Sequence, residues 1–363
     1  MRERSNIRPE QLADTAQALM ADDKGLLAMD ESIPTSNKRF AALNIPQTDE
    51  TRRSWRELII TTPRLSESIS GIILFDETLR QRTKDGTPFI EILSDYGIIP
   101  GIKVDTGLTD LAGHPNEKIT SGLDGLRDRL ADYSRMGALF AKWRAEIVLG
   151  NKIPTRGCIE ANAIALARYA GLCQEAGLVP IVEAEVLMEG GHTLERCRET
   201  TEEVLHTVFN KLHTQRVMLE GMLLKPNMVA PGLSNSNQET LNDVADATAT
   251  CLLRVVPAAV PGIAFLSGGQ SAELATSRLN AMNVRFKSRL PWALGFSFAR
   301  AIEQPALEVW RGNEDNSEAA RQMLLHLASR NRAARRGEYD PSIEIITSIK
   351  TPRIVSESTW TNR

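Results

Sequence analysis

The stretch LEGMLLKPN, residues 219–227, is apolar until it reaches Lys225, and a proline follows the lysine directly. A short apolar run of this kind, closed by a proline, predicts a strand that is buried on both faces. Lysine is seldom fully buried, so its position at the end of such a strand has two explanations. It is a solvated charge where the strand emerges, or it is a partly desolvated amine at the mouth of a site, ready to attack a carbonyl.

Seven further stretches share this form, an apolar run that ends in polar residues and precedes helical periodicity. Spaced roughly 30 to 45 residues apart, the eight runs are GLLAMD ending at Asp30, SGIILF before Asp76, IIPGIKV around Lys103, ALFAKWR ending at Arg144, VPIVEAE ending at Glu185, LEGMLLK ending at Lys225, IAFLSGG ending near Gly269 and ALGFSF before Arg300. Eight strand–helix units predict an α/β fold, a closed parallel (β/α)8 TIM barrel. The alternative, a doubly wound open sheet, usually has a GxGxxG motif after its first strand, and none is present there.

We expect residues 1–339 to form this barrel as a single catalytic domain and residues 340–363 to form a C-terminal tail. Helical periodicity between the runs supports the assignment. Apolar residues mark one helix face from Leu194 to Leu212, and Ser271 is placed to cap the helix that carries Leu279.

The composition predicts a soluble globular protein: 42% of the 363 residues are hydrophobic, 25% are charged, and the formal net charge is -3. This near-neutral balance argues against a nucleic-acid partner or a polybasic membrane role. No apolar run approaches the roughly 20 residues that span a bilayer. The chain opens with the polar stretch MRERSNIRPEQ rather than a basic-then-apolar leader. We therefore expect a cytoplasmic protein.

The cysteines and histidines predict neither a metal site nor a disulfide framework. The four cysteines are far apart without a CxxC motif, and the five histidines are equally scattered. Structural zinc sites draw several such ligands from short, characteristic spacings. We expect the cysteines to be small buried hydrophobic residues.

Active-site groups of a TIM barrel lie at the C-terminal ends of its strands. Seven of the eight predicted strand ends carry ionisable or phosphate-binding residues, namely Asp30, Lys103, Lys142, Arg144, Glu183, Glu185, Lys225, Ser267 and Arg300. Side chains alternate along a strand, so Lys142 and Arg144 point the same way. Glu183 and Glu185 do likewise, and we expect both pairs to face the barrel mouth.

This set of charges suits imine chemistry on an anionic substrate. Cations near Lys225 favour a neutral amine by like-charge repulsion, and a Schiff base requires that neutral amine. Glu183 and Asp30 can move protons during carbinolamine dehydration and bond cleavage. Each acid is also compatible with a structural ion pair, and for Glu185 that interpretation is as well supported as a catalytic role.

Two anion sites are predicted on either side of the lysine. FLSGGQSAE, residues 265–273, is a glycine turn before a helix start, where free N–H groups bind phosphate. Its place after the seventh strand favours this function, and Ser297 and Arg300 add the eighth strand. Lys38 and Arg39 follow DESIPTS and suggest a second phosphate, although a solvated helix face explains them equally well. Two such sites suggest a sugar phosphorylated at both ends.

The chain resembles the class I, Schiff-base fructose-1,6-bisphosphate aldolases over roughly residues 10 to 340. The motifs that carry the resemblance are, in order, KGLLAMDES, PGIKVD, FAKWR, PIVEAE, LEGMLLKPNMV, FLSGGQS and FSFARA. It implies reversible cleavage of fructose 1,6-bisphosphate to dihydroxyacetone phosphate and glyceraldehyde 3-phosphate, in glycolysis and gluconeogenesis. It also implies no metal or organic cofactor, sugar phosphates as the small-molecule partners, and a homo-oligomer, often a tetramer.

The resemblance also implies roles for individual residues. Lys225 forms the imine with C2, Glu183 accepts and donates its protons, and Asp30 handles the C4 hydroxyl. The supporting residues are Lys142 and Glu185 for dehydration and charge balance, and Lys103 in the charge cluster. Arg144 is a substrate-binding residue. The residues that hold the C1 phosphate are Ser267, Gly268, Gly269, Ser297 and Arg300. The residues that lie towards the C6 phosphate are Ser32, Thr35, Lys38 and Arg39.

Three departures from the family pattern bear on these roles. Ala184 stands between the two glutamates where a proline is usual. Phe298 and Ala299 replace a frequent Tyr-Gly, so the Ala299 N–H can bind phosphate only if its φ is negative. Many relatives end in a tyrosine that folds into the site, whereas this chain ends in Arg363. We therefore expect a barrel side chain or a water, rather than the tail, to protonate the enamine.

Three other functions fit parts of the pattern. The first is a Schiff-base aldolase or transaldolase acting on another sugar phosphate. The second is a phosphosugar-binding or scaffold protein without turnover, which the presence of Lys225 and Glu183 disfavours. The third is a pyridoxal-phosphate enzyme, which also uses a lysine imine and absorbs near visible wavelengths.

Overall fold

Eight parallel strands close into a barrel in the computed structural model, which describes residues 9–343. The strands are, in chain order, β1 (Gly25–Met29), β2 (Ile69–Leu74), β3 (Ile99–Lys103), β4 (Leu108–Asp110), β5 (Lys118–Thr120), β6 (Phe140–Ile147), β7 (Val179–Val186), β8 (Leu223–Pro226), β9 (Gly262–Phe265) and β10 (Ala293–Phe298). The barrel follows the order β1-β10-β9-β8-β7-β6-β3-β2, while β4 and β5 form a separate antiparallel hairpin. The predicted TIM barrel is confirmed, and the open sheet is excluded.

Helices connect the barrel strands, as parallel pairing requires. In chain order the α-helices of the described residues are α1 (Pro9–Leu19), α2 (Ile33–Ala42), α3 (Asp49–Ile60), α4 (Asp76–Arg80), α5 (Phe89–Asp95), α6 (Leu126–Arg135), α7 (Arg156–Glu175), α8 (Leu194–Thr214), α9 (Leu241–Val255), α10 (Ala272–Phe286), α11 (Arg300–Trp310) and α12 (Ser317–Arg336). None of these helices combines the length and apolarity that a membrane span needs.

The predicted helix signals are present in the structure. Cys197, Leu205 and Leu212 are buried along one face of α8, so the apolar stripe faces the barrel as its period implies. Ser271 caps α10, because its hydroxyl accepts a hydrogen bond from the Leu274 N–H at 3.2 Å.

Three strand ends differ from the prediction. β6 continues past Arg144 to Ile147, because it pairs with β7 along its whole length. The strand before the glycine turn ends at Phe265, since Gly268 and Gly269 adopt φ of +57° and +81°, which no strand accommodates.

The third difference concerns the start of β8, where Leu219–Gly221 forms a 3-10 turn instead of a strand. The Gln174 side chain replaces the missing ladder, donating to the carbonyls of Met218 at 2.7 Å and Gly221 at 3.2 Å. Backbone groups that would otherwise be unpaired are thereby satisfied.

Helix α1 closes the N-terminal end of the barrel. Its residues Leu12, Ala16 and Leu19 share one buried cluster with barrel residues such as Phe140 and Leu223. The larger apolar core lies between the barrel strands and the surrounding helices. With one end filled, only the C-terminal end of the barrel is open for a site.

The proposed boundary between the barrel and the tail stays a prediction. Helix α12 ends at Arg336, and Gly337 follows it with φ of +79°. Residues 344–363, most of the predicted tail, lie outside the described residues.

Candidate active site

A cavity of about 670 Å³ lies at the C-terminal ends of the barrel strands. Every residue predicted for the site lines it except Gly269. A Cβ at Gly269 would lie 3.8 Å from the Arg300 guanidinium, so this glycine is directly beside the lining. The sequence thus places one connected set of residues around one cavity.

The side chains that line the cavity carry an excess of positive charge. The acidic ones are Asp30, Glu31, Asp105, Glu183 and Glu185, and the basic ones are Lys38, Arg39, Lys103, Lys142, Arg144, Lys225 and Arg300. The expected surplus of cations is therefore present, and it suits an anionic ligand.

Four side chains form a continuous charged chain at the floor of the cavity. Lys142 Nζ lies 2.7 Å from Asp30 Oδ2 and 2.9 Å from Glu183 Oε2. Lys225 Nζ lies 3.0 Å from the other Glu183 oxygen, Oε1. All four residues are buried, with Lys225 only 3% exposed. The lysine of the opening stretch is therefore a desolvated amine, not a solvated charge.

Barrel register explains why these side chains meet. Glu183 on β7 is paired with Lys225 on β8 and, on its other side, with Arg144 on β6. Lys103 on β3 is likewise paired with Lys142. Residues in register on adjacent parallel strands point to the same side, so Glu183 lies between two basic residues, while Lys103 and Lys142 are adjacent bases.

The charged chain fixes the protonation of its members. Burial raises the pKa of Asp30, but the charges of Lys142 and Lys225 lower it further, so the pKa lies well below its ordinary value. The same opposing effects leave the pKa of Glu183 below its ordinary value. Burial lowers the pKa of Lys142, yet Asp30 and Glu183 raise it well above its usual range. At neutral pH these groups are two carboxylates bridged by an ammonium.

Glu185 behaves differently from Glu183. Burial raises its pKa to about 7 against the attraction of Arg144, and the charges of Glu183 and Glu146 add to the rise. Arg144 Nη1 lies 3.1 Å from Glu185 Oε2, and Arg144 also contacts Glu146. Glu185 therefore forms an ion pair with Arg144, as the structural interpretation of the sequence predicts. It can also carry a proton near neutral pH, as a catalytic role would require.

Lys103 pairs with an acid that the sequence analysis overlooked. Its Nζ lies 2.7 Å from Asp105 Oδ1 and donates to the Asp105 carbonyl at 3.2 Å. Asp105 is buried and stands two residues beyond Lys103, at the same strand end. Lys103 thus lies in the cavity, held by its own neighbour.

The predicted C1-phosphate end consists of a glycine turn and the end of β10. Gly268 has φ of +57°, and a Cβ there would lie 2.6 Å from Met188 Sδ, so no other residue fits without rearrangement. Ser297 is buried, and its hydroxyl has no hydrogen-bond partner among residues 9–343. Ala299 has φ of -108°, which meets the condition set for its N–H to bind phosphate.

The glycine turn is held from behind by two side chains. Gln270 Nε2 donates to the Ser267 carbonyl at 2.9 Å, and Arg278 Nη1 donates to Gln270 Oε1 at 2.8 Å. Both side chains are buried. This support fixes the turn against α10, and a buried arginine on an apolar helix face gave no sequence signal for it.

The predicted C6-phosphate end is the start of α2. Ser32 is the N-cap residue, its hydroxyl lies 3.1 Å from that of Thr35, and it makes no capping hydrogen bond. Helix N-termini attract anions, so an anion at the start of α2 can bind the Ser32 and Thr35 hydroxyls and the backbone N–H groups of the first turn. Lys38 is exposed yet lines the cavity, which fits both a solvated charge and a phosphate ligand. Arg39 is tied to Glu31 and, at 3.4 Å, to Glu303.

Four polar lining residues were missed by the sequence analysis: Glu31, Asp105, Thr120 and Gln304. Glu31 directly follows Asp30, and Gln304 lies one helical turn after Arg300. Proximity to a predicted residue was thus the available signal for Glu31, Asp105 and Gln304, whereas Thr120 lies on β5, away from every predicted site residue in the sequence. Within the described part of the chain no three His, Cys, Asp or Glu side chains form a group suited to a metal ion, and metal independence stays a prediction.

Comparison with known proteins places this geometry in a family. The family model described as "Fructose-bisphosphate aldolase class-I" matches residues 11–357. A probable fructose-bisphosphate aldolase class 1 of Xanthomonas campestris pv. campestris is 53% identical over 331 residues, which cover 91% of this chain and 98% of that protein. Fructose-bisphosphate aldolase 6, cytosolic, of Arabidopsis thaliana is 48% identical over 91% of this chain and 92% of its own. A solved structure of fructose-bisphosphate aldolase from Plasmodium falciparum aligns with a TM-score of 0.90 and 45% identity, covering 93% of this chain and 96% of that one.

Proposed function

Because the chain belongs to the class I fructose-bisphosphate aldolase family, we propose that Lys225 is the amine of its Schiff base. The protein is a carbon–carbon lyase that cleaves fructose 1,6-bisphosphate reversibly to dihydroxyacetone phosphate and glyceraldehyde 3-phosphate. The observation that carries the assignment of Lys225 is its 3.0 Å contact with Glu183 in a buried site. With the family established, the alternatives of another Schiff-base enzyme, a scaffold and a pyridoxal-phosphate enzyme are set aside.

Imine formation requires a neutral amine and a path for its proton. Glu183 Oε1 is within hydrogen-bond distance of Lys225 Nζ and can accept that proton. The freed lone pair then attacks C2 of the ketose, the Nζ–C2 bond forms, and a proton passes from Nζ to the former carbonyl oxygen to give a neutral carbinolamine. Loss of this hydroxyl as water needs another proton, and Glu185, with a pKa of about 7, can hold one near the site. The product is a protonated imine.

Cleavage of the carbon–carbon bond requires a base at the C4 hydroxyl. Asp30 suits this role because its lowered pKa keeps it a carboxylate at neutral pH. As Asp30 accepts the hydroxyl proton, the C3–C4 bond breaks, its electron pair moves into the imine to give an enamine, and glyceraldehyde 3-phosphate leaves. Protonation at C3 by a barrel side chain or a water and hydrolysis of the imine then release dihydroxyacetone phosphate and regenerate the Lys225 amine.

The two phosphates are assigned to opposite ends of the cavity. Ser267, Gly268 and Gly269 offer a turn with exposed N–H groups, and the unpartnered Ser297 hydroxyl and the Arg300 guanidinium face the same space. We assign this end to the C1 phosphate. The N-terminus of α2 with Ser32, Thr35, Lys38 and Arg39 is assigned to the C6 phosphate, while Lys142, Lys103 and Arg144 balance charge between the two ends.

Borohydride reduction with dihydroxyacetone phosphate, followed by peptide mass mapping, tests the assignment. We expect a three-carbon adduct on Lys225 and none on Lys225→Arg, because a guanidinium stays charged and cannot attack. Lys118→Arg, an exchange of a β5 lysine whose side chain is 41% exposed and lies outside the cavity lining, is the matched control and should label like the parent. An adduct found only on Lys142 or Lys103 would refute the proposal.

The cellular setting follows from the same relationship. We expect a cytoplasmic homo-oligomer, with a tetramer among the forms, that acts in glycolysis and gluconeogenesis. The relative from Arabidopsis thaliana is named cytosolic, which supports the location. Sedimentation of the purified protein measures the subunit number, and a monomer at all concentrations would contradict the expectation.

A further inference from the structure

A buried arginine without an acidic partner lies behind the glycine turn of the C1-phosphate end. This residue, Arg278 on α10, is 3% exposed. Burial lowers the pKa of its guanidinium, and no carboxylate counteracts that effect in the part of the chain that the structure describes. Its Nε has no hydrogen-bond partner there either. A guanidinium stays charged at neutral pH, so the free protein holds an unpaired positive charge at this position.

One continuous chain of hydrogen bonds joins this guanidinium to the glycine turn. Arg278 Nη1 donates to Gln270 Oε1 at 2.8 Å, and Gln270 Nε2 donates to the Ser267 carbonyl at 2.9 Å. The neighbours fix the orientation of the Gln270 amide, because a guanidinium can only donate and a carbonyl can only accept. Every donor in the chain therefore points from the positive charge towards the turn.

The last group of the chain faces the cavity. The Ser267 carbonyl belongs to the same peptide group as the Gly268 N–H, and Gly268 lines the cavity. Among the described residues that N–H has no acceptor, while the Ser267 carbonyl accepts a second hydrogen bond from the Gln270 N–H at 3.1 Å. Hydrogen bonds to a carbonyl polarise its peptide group, so the Gly268 N–H becomes a stronger donor to a ligand.

A buried charge without a partner costs free energy in the free protein. The turn that the hydrogen-bond chain reaches is the one assigned to the C1 phosphate, and a phosphate bound there would supply the missing negative charge. Arg278 itself does not line the cavity. Any effect that it has on a ligand must therefore pass through the field of its charge and through Gln270.

We propose that Arg278 is a positioning residue that acts through Gln270 and the Ser267–Gly268 peptide to strengthen binding of the C1 phosphate. The effect grows with the negative charge of the ligand, because both the field of the guanidinium and the polarised N–H act on that charge. Imine formation at Lys225 is left unchanged. This inference rests on the proposed assignment of the glycine turn to the C1 phosphate.

The test uses three ketones that differ in the charge of one group: dihydroxyacetone, its sulfate monoester and its phosphate monoester. At about pH 7.5 the sulfate carries one negative charge and the phosphate nearly two, since the second pKa of a phosphate monoester is about 6. All three present the same carbonyl to Lys225, so borohydride trapping followed by mass spectrometry gives a rate of imine formation for each at low ligand concentration. Division by the dihydroxyacetone rate isolates the contribution of the anion.

For Arg278→Met we expect the advantage of the phosphate over dihydroxyacetone to fall by roughly three- to tenfold. The advantage of the sulfate should fall by a smaller factor, and the dihydroxyacetone rate should stay at the parental value. Arg278→Gln is a second neutral variant with the same expected result, and Arg278→Lys keeps the charge and should keep most of the advantage. Arg285→Met is the matched control, because it removes the same charge from an exposed residue of α10 that pairs with Asp246, and it should follow the parent.

The outcomes separate this inference from the proposed function. Equal losses with the sulfate and the phosphate would mean that Arg278 only braces the turn, and the inference would be overturned. A parental phosphate advantage in either neutral variant overturns it as well. A phosphate that gives the parent no advantage over dihydroxyacetone removes the C1 phosphate from the turn, and the role of Arg278 falls with it. The position of the trapped adduct on Lys225 is independent of all these results.

Discussion

Replacing Lys142 by methionine is expected to destabilise the protein by about 3 kcal/mol at neutral pH, near the lower end of the effect of removing one partner from a buried ion pair. Methionine fills similar space without the charge. Asp30 loses the only hydrogen bond that the described residues give it, at 2.7 Å. Glu183 keeps Lys225 at 3.0 Å, which limits the loss to one unpaired carboxylate. Urea unfolding followed by far-UV circular dichroism measures the change.

The size of this loss should depend on pH. In the parent, the lowered pKa of Asp30 contributes stability that is present above its unfolded pKa and is lost only as pH falls through the folded one. Without the charge of Lys142, burial is the dominant influence on Asp30, and the pKa of its carboxyl rises. The variant then loses stability as pH rises from about 4 towards 8. The difference between parent and variant should therefore widen with pH.

Two further variants test the reasoning. Adding Asp30→Asn to Lys142→Met removes the unpaired charge and should restore more than about 1 kcal/mol. Lys211→Met breaks a partly exposed ion pair with Glu160 at 2.6 Å and should cost less than about 1 kcal/mol. If the double variant is as unstable as Lys142→Met and the loss is equal at every pH, the buried charge is not its cause.

Three other predictions follow from the site. Arg300→Ala should weaken binding of dihydroxyacetone phosphate by roughly 1.5–3 kcal/mol, the scale of a charge-assisted hydrogen bond; calorimetry showing parental affinity would remove Arg300 from the phosphate site. Imine formation should slow as pH rises through about 7, because Glu185 then loses the proton that we assign to dehydration; stopped-flow trapping should show a flatter profile for Glu185→Gln, and an unchanged profile contradicts the assignment. Incubation with EDTA should leave the cleavage rate unchanged, and a loss that zinc restores would overturn the metal-free mechanism.

The features that could be predicted from the sequence are local ones. Each barrel strand is a short apolar run, and each polar residue at its end is read directly from the chain, so the charged groups of the mouth were found without knowledge of the fold. The β4–β5 hairpin was missed because its strands have only three residues each and carry no apolar run; β4 is exposed, and Thr120 is the one buried residue of β5. Its pairing depends on the loop between β3 and β6, not on periodicity.

The partners of the charged groups could not be predicted, because they depend on register and on distant elements. Like-charge repulsion was expected to be the main influence on Lys225, but its contact is the carboxylate of Glu183 on the next strand. Arg39 was predicted from the α2 sequence, whereas its partner Glu303 is 264 residues away in the chain. No local pattern shows such a pair before the barrel is assembled.

The pairing of β1 with β10 has a consequence for folding kinetics. This pairing, with Leu26 opposite Ser297, joins the first and last strands of the ring. Asp30 follows β1 immediately, and its contact with Lys142 spans 112 residues. Long-range contacts of this kind form late, because the chain must close large loops first. During refolding, the return of catalysis should therefore lag behind the return of helical circular dichroism, and the length of that lag measures how long the ring takes to close.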